Sequence, residues 1–220
     1  MAEYKKDKRS AKDFLPYHRF TRKNVPWAQT LLMLFIVPIL SLMSRLKIEG
    51  RENIPDGGYI VAGNHHSYFD PLFVALAIRR RIRFMGKSDL FKKSNGFWLS
   101  LLGGFPVRRG IWDTDAFETA EAVINKKRVM AIFPEGGISM PGKYKEPKPG
   151  IGYLAQRTGA LVLPIYLDGA RKLYKPWTWP KVSIVIGRPI SFPQNLEPTP
   201  ENNQQVADEI FAVICAMGER

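Results

Sequence analysis

The apolar positions of this chain divide it in two. Residues 24–44 carry no charge and include the unbroken run Leu31-Leu32-Met33-Leu34-Phe35-Ile36-Val37-Pro38-Ile39-Leu40. Beyond Arg45 the apolar residues come in short bursts. Tyr59 to Ala62, Val129 to Phe133, Leu161 to Leu167 and Val182 to Ile186 are rich in β-branched and aromatic residues, which predicts short buried strands. Between these bursts the spacing turns helical. Helices are expected over 71–80, over 113–127 with Phe117, Ala120, Val123 and Ile124 inward, and from Lys148-Pro149-Gly150 to Gly159. A final helix carries Val206, Ile210, Val213 and Met217 toward the sheet. Short strands alternating with helices predict an α/β fold: a single domain over 46–220 with a mixed, mostly buried β-sheet flanked by helices. A chain of 220 residues suits one domain with a sizeable core.

The charge-free block asks for a different environment. As one helix it would be about 31 Å long, close to the hydrocarbon thickness of a bilayer. No small-residue cleavage site follows it, so it does not read as a removable signal, and Pro38 predicts a kink or break. Residues 1–23 carry eight Lys or Arg against three acids, the composition of a flexible, basic arm on a membrane surface. Basic flanks tend to stay cytoplasmic, and the large remainder of the chain is basic too. The expectation is therefore a membrane-associated segment at 24–45, a helix or broken helix pair embedded in one leaflet on the cytoplasmic face of the cell membrane. A single spanning helix and a buried core helix are the alternatives.

Charge narrows the partners. The chain has 33 Lys and Arg against 20 Asp and Glu, a net +13, which favours nucleic acid, anionic lipid surfaces or phosphorylated substrates. No zinc-finger, RNP or basic-zipper pattern supports nucleic acid, and that reading would leave the apolar block unexplained. The lone Cys215 excludes an intrachain disulfide, and no His/Cys cluster has zinc-ligand spacing, so no metal is expected. The basic stretch holding Arg79, Arg80, Arg81, Arg83, Lys87, Lys92 and Lys93 reads as a solvated helix face, or as a surface toward headgroups and an anionic substrate. Trp177 and Trp179 suit either a membrane interface or loop packing.

Candidate chemistry concentrates in Gly63-Asn64-His65-His66-Ser67-Tyr68-Phe69-Asp70-Pro71, between the first buried burst and the first helix. Asp70 before Pro71 is a helix-start signal, with Asp70 as the cap. Two of the three histidines thus sit in a strand-to-helix turn, where α/β proteins place chemistry. Five residues separate His65 from Asp70, which does not stack them on one helix face. They meet only if the chain turns between them.

Asn64 to Asp70 resembles the NHxxxxD motif of the glycerolipid acyltransferases, the group typified by 1-acylglycerol-3-phosphate acyltransferase. Three further blocks follow in that family's order: Gly103 to Arg109, Phe133-Pro134-Glu135-Gly136, and Leu163-Pro164-Ile165. The resemblance covers roughly residues 48 to 190 and implies transfer of a fatty acyl group from acyl-CoA or acyl-carrier protein, used as substrate with no other cofactor, to a lysophospholipid hydroxyl. It implies His65 as general base, Asp70 as its orienting partner, and Arg109 with the adjacent Arg108 as phosphate ligands. Glu135 and Gly136 would position the acceptor. The family's third block continues Thr-Arg-Ser, whereas this chain has Gly137-Ile138-Ser139, so the phosphate charge has to come from elsewhere: Arg109, Arg108, Lys145 or Lys148. The implied partners are the lipid bilayer, the lysophospholipid and the acyl donor, with no nucleic acid. Another lipid or glycolipid acceptor, or an inactive membrane scaffold of the same fold, are the competing readings.

Overall fold

Strand β2 (Tyr59–Gly63) has no exposed residue, because it lies inside the sheet and both of its faces are covered. Its side chains alternate as a strand's must. Tyr59 and Val61 enter one apolar layer, Ile60 and Ala62 the other. In this computed structural model, which describes residues 10–23, 27–140, 143–174, 179–194 and 199–219, seven strands form one mixed sheet. The others are β1 (Arg45–Glu49), β3 (Ile82–Lys87), β4 (Gly104–Val107), β5 (Val129–Ile132), β6 (Val162–Asp168) and β7 (Lys181–Ile186). Their order is β1-β7-β6-β2-β5-β3-β4, parallel throughout except where β6 meets β7. The C-terminal ends of β2, β3, β4, β5 and β6 therefore share one edge of the sheet.

Helices cover both faces. One layer is filled from α3 (Asp70–Ile78), with Leu40 of α2 (Trp27–Met43) packed into it. The other is filled from α5 (Thr114–Asn125), α6 (Gly150–Thr158) and α7 (Pro200–Gly218). Gly152 lets α6 and α7 approach, since a Cβ there would sit 1.9 Å from the Asn203 carbonyl oxygen. On α7 the inward positions are Val206, Ile210, Ile214 and Met217. Val213, expected inside, is exposed, because seven residues from Val206 the helix has drifted off the buried stripe.

Three strands were not anticipated. β1 and β4 are short and, by composition, look like linkers. β3 lies inside the basic stretch expected to be a solvated helix face or a surface toward headgroups, and Arg83 there is 1% exposed. Burial and the nearby Arg128 charge pull the Arg83 guanidinium down to about 10.

The basic arm is also more structured than expected. From Ala11 it is helical, and α1 (Leu15–Lys23) docks on α5. His18 Nδ1 lies 3.1 Å from Thr119 Oγ1, Arg22 Nε donates to the same hydroxyl, and Phe14 is buried. Residues 1–9 and Trp177 lie outside the described residues. Trp179 is exposed.

Among the described residues no single helix is long and apolar enough to cross a membrane. The pair Ala11–Lys23 and Trp27–Met43, bent by 66°, reaches that length and composition together. Gln29 ties α2 to the domain by accepting from the Ile82 N–H at 2.8 Å and donating to the Leu102 carbonyl at 2.8 Å. The opposite face of α2 exposes Trp27, Leu31, Leu34, Phe35, Ile39 and Leu42.

Candidate active site

Beyond Gly63 the chain leaves the sheet, and Asn64 fixes where it goes. Its side-chain oxygen accepts from the Leu167 N–H at 2.7 Å and its amide donates to the Leu167 carbonyl at 2.8 Å. A side chain thus extends the β2–β6 ladder by one step. The two histidines then part. His65 Nδ1 meets Asp70 Oδ2 at 2.8 Å, while His66 turns inward and stacks on Tyr144. The same Asp70 oxygen accepts from the N–H groups of His66 at 2.8 Å and Ser67 at 2.7 Å.

Asp70 is fully buried and is not the helix cap: Phe69 holds that position, and the carboxylate of Asp70 folds back over the loop before it. The five-residue spacing closes across a turn. A carboxylate acts only as an acceptor, so His65 Nδ1 carries the hydrogen, and in the neutral ring the lone pair is then on Nε2.

A second turn, after β5, grips His65 from the other side. Gly136 takes a φ of +64°, a left-handed conformation natural for glycine, and reverses the chain after Glu135. Glu135 is fully buried. One of its oxygens accepts from the His65 N–H at 2.8 Å, the other from the Ser139 hydroxyl and from the Lys145 N–H at 3.2 Å. Ser139 also donates its own N–H to the His65 carbonyl at 2.8 Å. Phe133 stacks on the His65 ring with centroids 4.3 Å apart. His65 is thereby held at its N–H, its carbonyl, its ring face and Nδ1. The expectation for Glu135 was that it positions the acceptor. Glu135 lines the cavity, and the three donors to its carboxylate named here are the protein's own.

The remaining predicted residues divide. Arg109, at the end of β4, lines a cavity of about 1000 Å³ together with His65, Glu135, Lys145 and Lys148. Arg108 does not line it. Its guanidinium is bidentate to Asp113, at 2.8 and 3.1 Å, so it shapes the loop after β4. Gly136 makes the turn without lining the cavity.

The departure at Gly137-Ile138 has a visible consequence. A Cβ on Gly137 would lie 3.3 Å from Arg109 Nη1 and 3.5 Å from Lys145 Nζ, and one on Gly136 would lie 3.3 Å from Lys148 Cγ. Arg109 and the Lys145 ammonium thus reach the bare glycine turn from two segments, and the stem of Lys148 passes beside it. Lys145 is steadied by donating to the Ile138 carbonyl at 2.6 Å. Leu72, Phe84, Met85, Leu99 and Leu102 give the same cavity an apolar wall. Sequence reading did not anticipate Phe133 and Ser139 as supports of His65. The only signal for them is their position on the same turn as Glu135.

A family model described as Acyltransferase matches residues 45–168, more than half of the chain. The chain is 29% identical over 134 residues to the 1-acyl-sn-glycerol-3-phosphate acyltransferase LPAT1, chloroplastic, of Arabidopsis thaliana, covering 59% of this chain and 37% of that protein. It is 24% identical over 182 residues to the 1-acyl-sn-glycerol-3-phosphate acyltransferase of Streptococcus pneumoniae, covering 80% of this chain and 67% of that protein. The chain thus spans little more than a third of the chloroplast relative's length. Among solved structures it resembles the 1-acyl-sn-glycerophosphate (LPA) acyltransferase PlsC of Thermotoga maritima, with a TM-score of 0.61 and 25% identity, over 94% of this chain and 80% of that one.

Proposed function

Because this chain belongs to the acyltransferase family, we propose that it moves a fatty acyl group from acyl-CoA or acyl-carrier protein to the free hydroxyl of 1-acyl-sn-glycerol-3-phosphate, giving phosphatidic acid. One observation carries the reading: His65, held by Asp70 behind it, lines a cavity whose other walls are apolar on one part and cationic on another. An acceptor with one acyl chain and one phosphate has that same division.

In this reading His65 Nε2 takes the acceptor hydroxyl proton as the oxygen attacks the thioester carbonyl carbon. Asp70 holds the imidazole tautomer and stabilises the imidazolium that forms. The tetrahedral intermediate collapses, the carbon–sulfur bond breaks, and the leaving thiolate takes the proton back from His65. No acyl-enzyme is required. Arg109, Lys145 and Lys148 meet the acceptor phosphate, the two lysines supplying charge where the family's third-block Arg is replaced by Ile138.

Residues 46–220 are the catalytic domain, and 24–45 the membrane-associated segment that brings it to its lipid substrate. The support is the exposed apolar face of α2, together with the exposed Phe97 and Trp98 on α4 (Lys93–Leu101). A large exposed apolar patch of this kind marks a membrane or partner surface. The segment lies in the cytoplasmic leaflet, within reach of a cytosolic donor.

The test is an acceptor panel with purified protein and both donor types, read by free-thiol release and by mass spectrometry of the lipid. Acceptor-dependent thiol release with phosphatidic acid as product is expected. Faster turnover of a phosphate-free acceptor would transfer the assignment to another lipid or glycolipid. No thiol release from folded protein with any acceptor would leave the inactive scaffold.

A further inference from the structure

A second hollow, sharing no lining residue with the cavity at His65, lies between α2, β1 and the end of α3. It measures about 530 Å³. Leu34 and Ser41 of α2, Leu46 and Ile48 of β1, Arg51 and Arg79 contribute to its lining. No carboxylate is among the described residues that line it.

Two features of this hollow belong together. Arg79 ends α3 in a left-handed conformation, φ 53°, which turns the chain there, and Arg51 Nε donates to the Ala77 carbonyl at 3.2 Å, fixing its guanidinium against the same helix end. Two positive groups are thus brought to one hollow. Burial and the Arg79 charge both pull Arg51 down from its ordinary value, the expected result of like charges sharing a site. Apart from the Thr30 and Ser41 hydroxyls the remaining wall is apolar, and it is open: Leu34 is exposed, and the exposed apolar face of α2 includes Leu31, Phe35 and Leu42. A nucleotide or acidic peptide would match the arginines but not this wall. Phosphate joined to hydrocarbon matches both.

We propose that this hollow binds the phosphate of an anionic phospholipid of the bilayer through Arg51 and Arg79, with an acyl chain laid against α2. The site would hold the domain in one orientation on the membrane without touching the reacting groups. The proposal rests on the reading that α2 lies against a bilayer, and a neutral-vesicle measurement tests that reading alone.

The experiment is flotation of full-length protein with phosphatidylcholine vesicles, with and without phosphatidylglycerol. Three proteins are compared: wild type, Arg51→Gln/Arg79→Gln, and Lys127→Gln/Arg157→Gln as a control that removes equal charge from the opposite face of the sheet. A basic residue at an anionic surface contributes enough that losing two at a real site should weaken binding to anionic vesicles by about tenfold or more. The control double should lose much less, and neutral-vesicle binding and acyl transfer in detergent micelles should be unchanged in both. Equal losses in the two doubles would overturn the site in favour of diffuse charge attraction. Displacement of the wild-type advantage by millimolar inorganic phosphate would overturn the lipid assignment in favour of a free-phosphate site. Absence of binding to neutral vesicles would instead overturn the placement of α2. A thermal melt of each variant confirms that a loss of binding is not a loss of fold.

Discussion

Replacing Glu135 separates two roles for that residue. A contact with the acceptor predicts that Glu135→Gln raises the acceptor KM. The observed geometry predicts loss of kcat and of stability, because the carboxylate accepts from His65 N–H, Ser139 Oγ–H and Lys145 N–H, and is fully buried. In Glu135→Ala the Ser139 hydroxyl can turn to the His65 carbonyl, already 3.2 Å away. The His65 N–H is then left without its acceptor inside the protein, while the Lys145 N–H, on an exposed residue, can reach water. An unsatisfied buried donor costs about 1–3 kcal/mol, and the lost charge-assisted bonds add to it, so a total of about 2–4 kcal/mol is expected. For a domain of this size that is roughly 5–15 °C in Tm. Glu135→Gln keeps one acceptor oxygen and turns an N–H₂ toward the Lys145 N–H, for about 1–2 kcal/mol. In Glu135→Ala His65 loses its backbone anchor, so kcat falls by at least about tenfold. In Glu135→Gln a neutral amide oxygen replaces the carboxylate oxygen under the His65 N–H, so kcat falls by less. In both the acceptor KM changes by less than about threefold. Thermal melts and acceptor titrations at saturating donor measure all of this. A Glu135→Gln protein with wild-type Tm and kcat but a tenfold higher acceptor KM would refute the argument.

His65→Ala should reduce acyl transfer by on the order of 10²–10⁴-fold, whereas His66→Gln, at a position outside the cavity, should stay within a few-fold; thiol release on folded protein compares them. Asp70→Asn can place its one oxygen where His65 Nδ1 and the His66 and Ser67 N–H groups converge, but it carries no charge to stabilise the imidazolium, so activity should fall by about 10²-fold or more with the fold retained by circular dichroism. Lys145→Ala should raise the acceptor KM several-fold with little change in kcat for a phosphorylated acceptor, and leave the KM of a phosphate-free acceptor unchanged. Burial lowers the His18 pKa below its ordinary 6.5, against the opposing pull of Asp113 and Asp115 and with the help of Arg22 and Arg108. Its contribution to stability is therefore full above pH 6.5 and is lost as pH falls through the folded-state pKa. Urea midpoints should drop on acidification in the wild type and drop less in His18→Gln.

The local pattern by itself determined the α/β class, four of the seven strands and the helices between them. Three of those strands, β2, β5 and β6, are largely buried on both faces, so each is a mostly apolar run that needs no context to be read, and β7 is legible from its β-branched residues. The pattern also marked the turn holding His65 and Asp70 as a place to look, because Gly, Pro and polar residues interrupt the apolar run where the chain leaves the sheet; Arg109 and the Phe133–Gly136 turn were singled out by the resemblance to the glycerolipid acyltransferases. Tertiary structure decided the rest. β3 was hidden because Arg83 is buried by neighbours far along the chain, which composition cannot foresee. Arg108 and Arg109 are identical in type and adjacent, yet Asp113 takes one and the cavity the other. His65 and His66 likewise differ only in direction, and direction follows from Asn64 pinning the turn to Leu167 on β6. The assignment of Glu135 as a clamp rests on hydrogen bonds linking residues 65, 135, 139 and 145 across two strand ends, and a one-dimensional pattern holds no record of which donors meet which acceptors.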